Sequence, residues 1–239
     1  GARPRGPEGA AGAMSDPLFL AALFALGVLS GGTAAVVGFG IGSLLTPFLL
    51  ARMAPQEAVA AVALPHLLAT AVRLVQHRRA VDRGVFLRFG LPSAVFSLAG
   101  AFLLARVASP LLTGGLGLLL LATGAANLTR GFGQWTPPLP VALALGALSG
   151  LFGGLAGNQG GLRAAGLMAF RLDPRAFLAT GTAVALVIDL ARTPVYLARG
   201  AGLLAALAPA IAVAAAGCLV ARSWASASCW GCGRSATGR

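Results

Sequence analysis

From Pro17 to Ala51 the chain runs 35 residues without a charged side chain. As one straight helix that run would be about 50 Å long, against a hydrocarbon core of about 30 Å. The stretch must therefore break, and the break is written into it as Gly38-Phe39-Gly40-Ile41-Gly42. Leu18–Val37 is long enough to cross a bilayer. Ile41–Ala51 is too short for that and reads as a half-helix.

Further apolar blocks follow at about 57–76, 85–105, 110–129, 139–157, 164–170, 176–198 and 201–221. The connectors between them, among them Arg52–Pro55, His77–Gly84, Arg130–Pro138 and Arg199–Gly202, carry the turn residues and much of the charge. The pattern predicts an all-α polytopic membrane protein with seven to nine passes. Composition agrees: 57% of the residues are hydrophobic and 10% charged, where a soluble domain carries about 25% charged residues.

The net charge of +12 raises nucleic acid as a partner. The arginines, however, are scattered between apolar blocks and form no basic face with interleaved aromatics, so no nucleic acid is expected. The lipid bilayer accounts for them better. Arg78, Arg79, Arg83 and Arg88 stand against one Asp82, which by the positive-inside rule places the 77–88 loop in the cytoplasm. A bacterial cell inner membrane is the expected location.

The Gly-, Pro- and Ala-rich residues 1–16 are expected to be disordered, with Met14 a candidate start. A membrane domain spans 17–222, and 223–239 reads as a disordered or aberrant tail. Cys229 and Cys232 form a C-x-x-C in that tail, but no second pair and no thioredoxin-like context accompany it. No metal or cofactor is expected.

Sliding the sequence by 119 residues brings Leu26–Gly31 (LGVLSG) onto Leu145–Gly150 (LGALSG). Gly38 then falls on Gly157, Gly42 on Gly161, Arg52 on Arg171, Pro55 on Pro174 and Arg73 on Arg192. A two-residue deletion continues the match, placing Pro92 on Pro209 and Gly100 on Gly217. The reading is two internal repeats of glycine-broken helices, about 18–106 and 139–222, joined by a linking helix at about 110–130. Matching breaks in duplicated halves mark secondary transporters, whose substrates bind at the unwound backbone. The arginine-rich loop has a counterpart with only Arg199, an asymmetry that favours inverted over parallel repeats.

Two regions carry candidate chemistry. At the breaks, Gly38, Gly40, Gly42, Gly157, Gly160 and Gly161 let a ligand approach backbone N–H groups. Asn158 and Gln159 can donate or accept, and Arg163 offers a rigid fork for an oxyanion. The other reading of this stretch is a solvent-exposed hairpin with Arg163 reaching the headgroups. The second region centres on Asp189, inside a crossing helix, where a carboxylate costs about 2.5–3.5 kcal/mol unless it faces a cavity or a partner. Arg192 follows at i+3 on the same face. Tyr196 is expected near the membrane interface. In the first repeat His66, Thr70, Arg73 and His77 share a helix face, His66 lying deeper than the loop-side His77. Asp189, Arg192, Thr70, Arg73, His66 and Tyr196 are the gating or coupling candidates.

The runs GFGIGSLLTP at Gly38–Pro47 and GNQGGLR at Gly157–Arg163, with ATGTAVALVIDLARTPVY at Ala179–Tyr196, resemble the sulfite exporter TauE/SafE family of membrane permeases over about residues 18–221. Members show a G-x-G-G-G-like run after the first helix of each half. Here Ile41 replaces a glycine in the first copy, and Asn158 and Gln159 precede Gly160 and Gly161 in the second. The resemblance implies movement of small sulfur-containing anions such as sulfite, sulfoacetate or other organosulfonates, without an ATPase domain and with an ion gradient as the driving force. A non-transporting membrane scaffold, packing through small residues such as Gly114, Gly115 and Gly117, is the alternative. An intramembrane enzyme would need a second buried catalytic group near Asp189, and none is evident. A homo-oligomer is compatible with the sequence.

Overall fold

The structure, a computed structural model, describes residues 16–38, 40–106, 118, 136–157 and 160–232. Among these the ordered elements are all helical. The linking segment at 110–130 with Gly114, Gly115 and Gly117, most of the N-terminal extension, Asn158, Gln159 and the last seven residues lie outside them, apart from Leu118.

Helix α1 (Pro17–Val37) starts where Asp16 accepts a hydrogen bond from the Leu18 N–H at 3.0 Å, with Pro17 in the first helical position, where its missing N–H costs nothing. It stops at Gly38, which takes a left-handed φ of +88° and donates its N–H to the Ala34 carbonyl. A residue with a Cβ would be strained there by about 1–2 kcal/mol. Helix α2 (Ile41–Leu50) follows at once and is about 15 Å long. Helix α3 (Pro55–His77) has Glu57 accepting from the Ala54 N–H at its start. After a 3₁₀ turn at Arg78–Ala80, the chain passes through a helical turn at Arg83–Val85 and a π-turn at Phe86–Gly90 into α4 (Leu91–Arg106).

The second half follows the same order. Helix α5 (Leu139–Ala156) ends on Gly157 at φ +68°, with its N–H on the Gly153 carbonyl. Helix α6 (Gly160–Leu167) and a 3₁₀ turn at Met168–Phe170 lead to α7 (Pro174–Ala206) and α8 (Ala208–Cys232).

The structure departs from expectation at Arg199–Gly202. Helix α7 runs through this anticipated connector to Ala206. Glycine inside a helix costs about 1 kcal/mol but does not forbid it. The interruption comes instead at Leu207, ahead of Pro209, which has no N–H to give and collides with the preceding turn. The backbone of α8 continues helically to Cys232, past the expected start of the tail.

Five of these helical stretches are long and apolar enough to cross a membrane: Pro17–Ala35, Pro55–Ala80, Arg83–Arg106, Leu139–Ala156 and Pro174–Ala198. Helix α2 and the apolar part of α8, Ala208–Ala221, are shorter. The described residues thus supply five full-length spans, where the apolar blocks suggested seven to nine.

Helices α3 and α7 are the most buried of the five spans and pack against each other. Around them α1 lies on α8 and α4 on α5. Both outer pairs approach through small residues. A Cβ on Gly150 would lie 1.9 Å from the Ser93 carbonyl oxygen, and one on Gly31 would lie 2.4 Å from that of Cys218. In lipid, where apolar surface gains little by leaving one apolar medium for another, such backbone proximity is what holds helices together. Ser93 reinforces the α4–α5 contact by donating to the Gly146 carbonyl at 2.8 Å. Lipid-sized apolar residues such as Val95, Phe96 and Phe102 of α4 remain exposed on the outside.

Candidate functional site

Two helices end inside the protein, at Gly38 and Gly157. The last turn of any helix leaves carbonyls without intrahelical partners and carries the negative end of the helix dipole. In a membrane nothing but protein or trapped water can satisfy them. At each break the terminal glycine N–H takes one such carbonyl, and an arginine adds a second donor to the same oxygen. Arg73 of α3 donates through Nη1 to the Ala34 carbonyl, and Arg192 of α7 donates through Nη1 to the Gly153 carbonyl. Tyr196 donates its hydroxyl to the neighbouring Gly154 carbonyl. Arg73 and Arg192 are 4% and 0% exposed. Sliding by 119 residues carries both donor and acceptor of the first bond onto those of the second.

Arg192 has a second task. Its Nε and Nη2 donate to Oδ1 of Asp189 at 3.0 and 2.7 Å, one turn back on the same helix. The other carboxylate oxygen, Oδ2, lies 2.5 Å from Nδ1 of His66 on α3. An ionised carboxylate only accepts, so the ring proton on this side sits on Nδ1. Thr70 places its hydroxyl 3.4 Å from the same nitrogen. Asp189, Arg192, His66 and Thr70 therefore form one buried cluster between α3 and α7, with Tyr196 a turn further on. Tyr196, expected near the membrane interface, lies two residues from the end of the span Pro174–Ala198, its side chain buried against α5 and its hydroxyl on the Gly154 carbonyl.

The breaks themselves are drawn together by Arg163. This α6 side chain donates through Nη2 to the Gly38 carbonyl at 3.3 Å, linking the two interruptions. It is 3% exposed, and its Nη1 has no hydrogen-bond partner among the described residues. Arg163 lines a cavity of about 20 Å³ together with Gly38, Gly160, Ala164, Phe177 and Leu178, among others. That is room for one water. Arg163 thus lies in the interior, and not on the exposed hairpin of the other reading. Gly161 follows Gly160 at the start of α6 and is half-buried, and Gly42 holds the matching place in α2 and is buried.

The other candidate glycines lie elsewhere. Gly40 packs over Thr33 of α1, whose hydroxyl oxygen would stand 2.7 Å from an added Cβ. Gly157 lies beside Thr46 of α2 and Arg192. Asn158 and Gln159 fall outside the described residues. Thr46 was not anticipated. It is 1% exposed and its Oγ1 has no partner among the described residues, so a buried polar atom also stands beside the second break. A threonine in an apolar helix usually bonds back to its own backbone, and its letter alone does not distinguish the two cases. Among the described residues three arginines (Arg73, Arg163, Arg192) are buried against one buried carboxylate, Asp189.

Buried charged groups, helix ends meeting in the interior and a small cavity at their junction thus lie among helices long and apolar enough to cross a membrane. The family profile of the sulfite exporter TauE/SafE proteins matches residues 23–228. The chain belongs to that family, whose members are membrane permeases of the anion-exporter type, transporters rather than enzymes, with a small anion and the lipid bilayer as partners. No curated protein and no solved structure matches it.

Proposed function

We propose that the chain moves small sulfur oxyanions (sulfite, sulfoacetate or other organosulfonates) through the junction of its two glycine breaks, driven by an ion gradient. The observation that carries this reading is Arg163: a buried guanidinium at the junction whose Nη1 has no acceptor among the described residues. Buried charge without a partner is costly, and an oxyanion is the partner whose geometry fits a guanidinium fork. The excess of buried arginines over Asp189 favours the same sign of solute. The N-terminus of α6 at Gly160 adds backbone N–H groups and the positive end of a helix dipole on the same side of the cavity.

In this reading the halves are inverted repeats that rock about the site, Arg73 and Arg192 being the caps that keep both breaks stable through the motion. Asp189 and His66 form the coupling pair, with Arg192, Thr70 and Tyr196 holding them in place. The 77–88 loop faces the cytoplasm of a bacterial cell. The test is uptake and efflux of labelled sulfite, a sulfonate and sulfate, side by side, in proteoliposomes of the wild type and of Arg163→Gln. Wild-type flux of one of the sulfur anions with at least tenfold loss in Arg163→Gln is expected. Undiminished flux in the variant removes the proposed site.

A further inference from the structure

The cavity at Arg163 is too small for any oxyanion of four or more heavy atoms, since it holds about one water. Two of its walls, Phe177 and Leu178 on the first turns of α7, are also walls of a second, far larger space. This crevice measures about 750 Å³ and lies between the end of α3 and the start of α7. Arg79, Arg175 and His77 line it, and no carboxylate does among the described residues. Arg79 and Arg175 are exposed, whereas Phe177 and Leu178 are half-buried. Leu178 leans on the break itself: its Cδ1 would lie 3.2 Å from a Cβ on Gly38.

We infer that the crevice is an anion-collecting vestibule, with Arg79 and Arg175 as its basic rim, and that Phe177 and Leu178 are the gate between it and the Arg163 cavity. This rests on the permease reading above and adds to it the approach route and the residues that close it. The physical argument has two parts. A concave basic surface with low-dielectric walls raises the local concentration of anions. Phe177 and Leu178 form a thin apolar partition between two arginine-lined spaces, and displacing two side chains joins them without moving a helix. Leu178 is suited to this because Gly38 beneath it has no side chain to obstruct a rotamer change.

The test reads access without requiring flux, so it can fail or succeed apart from the transport reading. In a background with Cys218, Cys229 and Cys232 changed to alanine, Ala164→Cys places a thiol in the inner cavity. Labelling rates are measured with a negatively and a positively charged methanethiosulfonate in purified protein, with size-exclusion profiles checking that each variant is intact. Slow labelling is expected with the gate present, rising at least tenfold when Leu178→Ala or Phe177→Ala is added and unchanged by Leu98→Ala on the exposed face of α4. The anionic reagent is expected to react faster than the cationic one, and the double change Arg79→Gln with Arg175→Gln is expected to cut that ratio about tenfold. Equal rates with and without both gate substitutions would overturn the gate. A charge preference indifferent to the two arginines would overturn the vestibule.

Discussion

Arg192 spends two of its nitrogens on a single oxygen of Asp189, at 3.0 and 2.7 Å, which leaves the other oxygen to His66. The guanidinium still has Nη1 for the Gly153 carbonyl. One side chain thus neutralises a membrane carboxylate and adds a donor at a helix end, and a short list of substitutions separates the two tasks.

Asp189→Asn leaves Arg192 buried opposite a neutral group. Breaking a buried pair by removing one partner costs about 3–5 kcal/mol, so a large fall in the thermal unfolding midpoint in detergent is expected. Adding Arg192→Gln should recover part of the loss, giving a favourable coupling energy in a double-mutant cycle. Additive losses would mean that the two side chains do not depend on each other.

Arg73→Met removes a cap but breaks no ion pair with Asp189, which binds Arg192 and His66 instead. A charge-assisted hydrogen bond is worth about 1.5–3 kcal/mol, so the variant should be less destabilised than Arg192→Met. Denaturation curves of the two variants under one condition check the ranking. Arg73 being the more sensitive position would contradict the division of labour.

Gly150→Ala forces a methyl group against the Ser93 carbonyl, 1.9 Å from its ideal position, and should separate α4 from α5 at a cost of about 1–3 kcal/mol. Gly202→Ala meets nothing within 4 Å and lies within helix α7. It should be neutral or gain up to about 1 kcal/mol from helix propensity. The contrast, read as unfolding midpoints, tests whether glycine serves close packing at one place and nothing at the other.

His66→Leu removes the partner of Asp189 Oδ2 while keeping the helix face apolar. If the His66–Asp189 contact couples transport to protons, counterflow exchange of substrate should persist and accumulation driven by a proton gradient should fall at least tenfold. Parallel loss of both modes would give His66 a packing role only.

Much of this architecture is legible in the letters because membranes impose hard constraints. A charge-free run of 35 residues has to break, and the residues able to take a positive φ mark the place, as Gly38 and Gly157 do. Arg73 and Arg192 align on sliding the sequence, yet what they bind is invisible there, since a carbonyl at the end of a helix has no letter of its own. The partner of Tyr196 is hidden for the same reason: its acceptor belongs to Gly154, 42 residues away. Arg199–Gly202 looked like a loop by composition, but the cost of its glycines is too small to end a helix that is anchored on both sides. Arg163 stood out in the sequence as an arginine among glycines. That it bridges the two breaks depends on α6 lying next to Gly38, a tertiary relation.

The two short helices also have an electrical consequence. Helices α2 and α6 are about 15 and 12 Å long, roughly half the thickness of the lipid around them. Where solvent reaches in to the breaks, the membrane voltage drops across that thinner septum instead of the full bilayer. In the transport reading above, the field at Arg163 would be steeper in proportion, and a charged solute would need to be carried only a short way to cross most of the potential.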